Sequence, residues 1–143
     1  MAEVATYLNL PGTTEAAFEF YKSVFGTEYT ADGIMRMGDI PPDPDAPPLT
    51  DAQKQAVMHV SLPILGGHLL MGTDHPDVTM GDCVQIMLSP DSREEADDLY
   101  AKLSAGGTAH QPMDDMFWGD YWGMLTDKFG INWMLDVAGT PPG

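Results

Sequence analysis

The segment Pro11-Gly12-Thr13-Thr14-Glu15-Ala16-Ala17-Phe18-Glu19-Phe20-Tyr21-Lys22-Ser23-Val24 returns, altered, 79 residues later as Pro90-Asp91-Ser92-Arg93-Glu94-Glu95-Ala96-Asp97-Asp98-Leu99-Tyr100-Ala101-Lys102-Leu103. The shift lays Pro11 on Pro90, Thr13 on Ser92, Glu15 on Glu94, Ala17 on Ala96, Phe20 on Leu99, Tyr21 on Tyr100 and Val24 on Leu103. Recurrence at a fixed offset marks a repeated structural unit. Both copies place apolar residues at i, i+3, i+4 and i+7: Ala17, Phe20, Tyr21 and Val24, then Ala96, Leu99, Tyr100 and Leu103. That period predicts one apolar helix face in each. Thr13 and Ser92 are N-cap candidates whose hydroxyls accept a free backbone N–H, and Ser92 with Glu95 forms an S-x-x-E capping box. Gly26 and the Gly106-Gly107 pair end the two helices.

Working outward, residues 5–10 predict a strand before the first helix, and residues 83–89 predict its counterpart before the second. Short apolar stretches follow each helix, at 30–37, 56–64 and 68–73, then at 108–113, 121–126 and 132–137. Pro- and Gly-rich punctuation separates them. Each half therefore reads βαβββ, module one over about 5–75 and module two over about 82–137, inside a single domain 1–143. The fold class is α+β: two βαβββ modules whose sheets must cover each other's apolar faces, within one chain or across a dimer. Residues 39–51, with five prolines and four aspartates, form the one long irregular loop. It is expected either to be a solvated linker or to lie over a cavity mouth.

Composition narrows the partners. A chain of 143 residues, 43% apolar, suffices for one sizeable core. Its net charge of −16 repels phosphate backbones and anionic lipid, so neither nucleic acid nor membrane is an expected partner. No apolar run approaches the roughly 20 residues that cross a bilayer, and no basic stretch precedes an apolar one at the N-terminus. The cytoplasm is the expected location. Cys83 stands alone, which rules out an intrachain disulfide or a cysteine-built zinc site, and it reads as a small buried apolar residue. No nucleophile elbow, phosphate loop or dinucleotide fingerprint occurs; Gly119-x-x-x-Gly123 lacks the lysine and the helix context.

Paired βαβββ modules with a first helix ending in Phe20-Tyr21-x-x-Val24-Phe25-Gly26 resemble the vicinal-oxygen-chelate superfamily, also called glyoxalase/bleomycin resistance/dioxygenase. The stretches Tyr7-Leu8-Asn9, Met58-His59-Val60-Ser61-Leu62, Phe117-Trp118-Gly119 and Thr126-Asp127-Lys128-Phe129-Gly130 resemble its PhnB-like branch, often labelled 3-demethylubiquinone-9 3-methyltransferase-like. The resemblance spans about residues 5–137. It implies that the two modules form cupped mixed sheets around a cavity, and that a divalent metal there grips neighbouring substrate oxygens, with His, Gln or Glu ligands from the first and last strands of each module. The helix anchors place those positions near Thr6, Met71, Gln85 and Met134. A hard divalent ion needs several oxygen or imidazole donors, and of these only Gln85 suits it. No metal site and no cofactor are therefore expected; a divalent metal on His59 and Gln85 is the alternative. The resemblance also implies a homodimer.

Strand alternation adds a reading from the residues themselves. Met58, Val60 and Leu62 should pack on a helix, which turns His59 and Ser61 to the other face; Val84, Ile86 and Leu88 likewise leave Cys83, Gln85 and Met87 opposite. His59 is a hydrogen-bonded structural histidine, or else a general base or metal ligand. In residues 114–121, Phe117, Trp118 and Tyr121 among three aspartates either wall an apolar pocket or pack at a module junction. His68, His75 and His110 sit beside loop signals and are read as surface. The expected function is small-molecule binding in a hydrophobic inter-module cavity. Gln85, Phe117, Trp118, Tyr121, Met71 and Met134 would line it, and His59 is the candidate catalytic residue. The alternative is a metal-dependent lyase, isomerase or dioxygenase. Methyl transfer is disfavoured, because no glycine-rich strand-to-helix turn suits a nucleoside cofactor.

Overall fold

A computed structural model describes residues 2–30 and 32–139. The chain divides between Val78 and Thr79 into two compact units. Unit one runs β1 (Thr6–Leu10), α1 (Thr14–Phe25), β2 (Met35–Arg36), α2 (Asp51–Gln55), β3 (Val57–Pro63) and β4 (Leu69–Asp74). Its sheet has the order β1-β4-β3-β2, with β1 parallel to β4 and the other pairs antiparallel. Unit two runs β5 (Ile86–Leu88), α3 (Arg93–Ser104), β6 (Thr108–Asp115), β7 (Tyr121–Thr126) and β8 (Asn132–Val137). Its sheet repeats the pattern as β5-β8-β7-β6, again with one parallel pair. Both units are thus βαβββ, the α+β class the repeat predicts, and unit one carries an additional short helix.

In unit one the core lies between α1 and one sheet face. Leu8, Leu10, Val60, Leu62 and Leu70 are buried, as are Ala17, Phe18, Tyr21 and Val24 of the helix. Burying side chains of this size stabilises by roughly 1.5–3 kcal/mol each. Phe18 rather than Phe20 is fully buried: its ring lies over Gly72, where an added Cβ would stand 2.6 Å from Phe18 Cε2. The helix start also differs from expectation. The Thr13 side chain makes no cap bond; instead Asp74, at the end of β4, accepts the Thr14 N–H at 3.0 Å and the Val57 N–H at 2.9 Å. One carboxylate so ties α1, β3 and β4 together, an anion where the helix dipole favours it. Gly26 closes the helix at φ 66°, its N–H bonded to the Lys22 carbonyl.

The linker segment contains order that its composition hides. β2 is two residues long, shorter than the 30–37 stretch, and α2 rises from the prolines on a Thr50–Gln53 capping box. Arg36 holds the segment down, its guanidinium 2.8 and 3.1 Å from the two Glu15 oxygens and 2.9 Å from the Gln55 carbonyl. The same guanidinium lowers the Glu15 carboxyl pKa through that hydrogen bond.

In unit two, Ala96, Leu99, Tyr100 and Leu103 of α3 pack as predicted over Leu88, Leu125, Trp133 and Leu135. Ser92 Oγ accepts the Glu95 N–H at 3.1 Å, but the Glu95 carboxylate reaches the Asp91 N–H rather than that of Ser92, one residue short of a full box. The Tyr100 hydroxyl lies 3.0 Å from the Gln111 and Met124 carbonyls, where β6 bulges away from β7. Asp127 is buried yet fully used: it accepts the Phe129 and Ile131 N–H groups and the Trp133 indole N–H, at 2.8, 3.1 and 2.8 Å. β5 covers only Ile86–Leu88 of the predicted 83–89, which leaves Val84 72% exposed and Cys83 exposed rather than buried. No helix among the described residues is long and apolar enough to cross a membrane.

Candidate functional site

Since Val60, Leu62 and Leu70 lie under α1, alternation brings His59, Ser61 and Met71 out on the opposite face of the first sheet. The same rule on β1 buries Leu8 and Leu10 and turns Tyr7 outward. Register then aligns Tyr7, Met71 and Ser61 in one row across β1, β4 and β3, with His59 paired to Met35 beside it. The Tyr7 hydroxyl lies 3.4 Å from His59 Nδ1, with ring centroids 5.9 Å apart. Ser61 is only 4% exposed, and its Oγ is buried without a hydrogen-bond partner. Buried hydroxyls nearly always have one, so this group is a donor and acceptor left unused.

Unit two presents a face of a different character. Met87, Met134 and Met124 form a row across β5, β8 and β7, and Trp122 pairs with Asp136 farther along. At the β6–β7 hairpin Trp118 stands 6.0 Å from Trp122, and Phe117 lies 5.0 Å from Trp118. The Asp136 carboxyl pKa is raised, first by burial, then by its hydrogen bond to Asp120 and by repulsion from that second carboxylate. Asp120 in turn accepts the Gly139 N–H at 3.1 Å. A polar chain lies along the same face: His110 Nε2 donates to Thr126 Oγ1 at 2.7 Å, the Thr126 hydroxyl donates to Asn132 Oδ1 at 2.7 Å, and Asn132 Nδ2 donates to the Gly81 carbonyl.

The residues singled out from sequence are shared between the two units. His59 and Met71 share the open face of unit one, while Met134 belongs to the open face of unit two and Phe117 and Trp118 to its hairpin. Gln85 precedes β5 and is exposed, its amide 3.9 Å from Met124 Sδ. Tyr121 has the parity of Gly123 and Leu125 and lies on the α3 side. There its hydroxyl donates to Asp97 at 2.6 Å, which raises the phenol's pKa, and its ring faces Arg93 at 4.5 Å. Trp122 and Tyr7 take the open positions, and the parity of their buried neighbours was the signal for both. His68 is part-buried against the Thr6 hydroxyl at 2.9 Å rather than free on the surface. Segment 37–56 helps line an apolar cavity of about 440 Å³ with Met37, Leu49, Ala52 and Ala56, so it is more than a plain linker.

Register sets Tyr7, not Thr6, beside Met71 in unit one, and Met87, not Gln85, beside Met134 in unit two. Neither a phenol with a thioether nor a pair of thioethers suits a hard divalent ion. Among the described residues no three His, Cys, Asp or Glu side chains gather in a way that could hold one.

Comparison with known proteins agrees with the architecture. The sequence profile of the Glyoxalase/Bleomycin resistance protein/Dioxygenase superfamily matches residues 10–135. Protein YjdN of Escherichia coli strain K12 is 23% identical over 145 residues, 97% of each chain. Among solved structures, protein PA1353 from Pseudomonas aeruginosa is 30% identical at TM-score 0.79, covering 96% of this chain and 98% of its own. The PhnB protein from Bacillus cereus is 26% identical at TM-score 0.74, covering 96% and 100%. With two βαβββ units and a profile match over residues 10–135, the chain belongs to the glyoxalase/bleomycin resistance/dioxygenase superfamily.

Proposed function

We propose that this protein binds a small, largely apolar organic molecule on its open sheet faces and holds it by shape and hydrogen bonds, with no metal taking part. The observation that carries this reading is the Ser61 hydroxyl, buried without a partner in the row with Tyr7 and Met71. A ligand carbonyl or hydroxyl that displaces the side chains covering it would satisfy it. The Tyr7–His59 pair, at a long 3.4 Å, is loose enough to reorient toward a second polar atom. Met71 in unit one and Met87, Met124 and Met134 in unit two offer soft, adaptable apolar contact. If the ligand is also transformed, His59 is the candidate base. A homodimer belongs to this reading through the resemblance alone.

The test is a fragment screen read by NMR of methionine methyl groups. Ligands should shift the Met71 methyl or those of Met87, Met124 and Met134. Ser61→Ala should weaken ligands on unit one by about tenfold, the worth of one hydrogen bond, without lowering stability. Fragments that leave all four methyls unmoved, or that bind Ser61→Ala as tightly, would overturn the reading. S-adenosylmethionine should leave the melting temperature unchanged; a saturable rise would point to methyl transfer instead.

A further inference from the structure

The β6–β7 hairpin exposes two large aromatic rings, Phe117 at 98% and Trp118 at 51%. Apolar rings gathered at a surface mark a place where something else packs. The Trp118 and Trp122 planes meet at 65°, so the two indoles form a corner rather than a stack. Cross-strand pairing sets Asp136 beside Trp122, and Asp120 hydrogen-bonds to Asp136 from the hairpin's base. The corner is held from below: Gly139 leaves no room for a Cβ against the Gly119 carbonyl, and its N–H fixes Asp120. Two ring faces with negative centres thus stand beside a carboxyl pair in which one negative charge opposes the second, in a chain of net charge −16. An arriving positive charge is attracted by the rings and relieves the repulsion between the carboxylates.

We propose that the corner formed by Trp118, Trp122, Asp120 and Asp136 is a binding site for a small organic cation of the substituted-ammonium class. The inference rests on the binding role proposed above, since the corner adjoins the face that carries Met124 and Met134, and it names the ligand's charge. Methyl groups on the nitrogen pack against the indoles while the carboxylates meet the charge.

The probe is phenyltrimethylammonium, compared with its neutral isostere tert-butylbenzene, on the full chain with ¹⁵N-labelled indoles. The cation should move the Trp118 and Trp122 indole signals saturably and leave buried Trp133 unmoved. Trp118→Leu should weaken it about tenfold. The Asp120→Asn/Asp136→Asn double variant should weaken it further, and the native Trp133 signal reports that each variant is folded. A neutral isostere that binds as tightly, or a Trp118→Leu variant that binds unchanged, would overturn the proposal. If tert-butylbenzene moves the open-face methionine methyls and the cation moves nothing, this inference fails while the general binding role stands. If neither probe moves any open-face signal, both fail.

Discussion

Asp127 shows how much one residue can carry. It sits in the Thr126-Asp127-Lys128-Phe129-Gly130 stretch that contributed to the resemblance, and its place there is structural: it closes the β7–β8 turn and anchors the Trp133 indole. Asp127→Ala would remove the acceptor of one buried and two part-buried donors and should cost about 3 kcal/mol in urea unfolding, with the loss expressed in unit two. Asp136 makes the opposite contribution. Its folded-state pKa is raised above the ordinary aspartate range, so the folded chain holds that proton more tightly than the unfolded chain does. Stability is therefore lost as pH rises from the ordinary aspartate range through the raised one. Asp136→Asn should leave the melting temperature unchanged near about pH 3 and raise it near about pH 7, measured by calorimetry. Legibility at this scale was a matter of parity. The face of His59 was readable because its strand neighbours are plainly apolar, whereas Met71 was placed only through the resemblance. Tyr121 misled because its aromatic character says nothing of which face it takes, whereas its spacing from Leu125 places it under α3.

Among the elements, the two long helices were legible because their apolar stripes and start signals repeat 79 residues apart. What propensity could not give was long-range capping. Thr13 was a plausible cap, but Asp74, 60 residues on, supplies the acceptor. Asp74→Ala should strip partners from the Thr14 and Val57 N–H groups and cost about 2 kcal/mol, with hydrogen exchange rising first at the start of α1. Phe18 won the core over Phe20 for a reason found only in the partner strand, the bare backbone of Gly72. Gly72→Ala should overpack that contact and destabilise by about 1–3 kcal/mol, and Phe18→Leu in the same chain should recover part of the loss. α2 escaped notice because its five residues lie behind a proline-rich run, and β5 came out short because its pairing with β8 covers only Ile86–Leu88.

For the whole molecule, the internal repeat and the combined motifs were enough to read an α+β chain of paired βαβββ units, and the superfamily membership agrees. The chemistry was harder to see, because the side chains that distinguish a metal enzyme from a binding protein stand at register positions set by hydrogen bonds between distant strands. The positions near Thr6 and Gln85 came from the helix anchors, whereas pairing sets Tyr7 beside Met71 and Met87 beside Met134. Phenol and thioether neighbours within each unit are the ground for proposing a metal-free binding role, and that claim is open to one direct measurement. Native mass spectrometry of the protein purified without chelator or added metal should show chains free of stoichiometric divalent ion, with any retained mass belonging to an organic adduct. One divalent ion per chain, lost in the His59→Ala variant, would contradict the account and establish metal chemistry in its place.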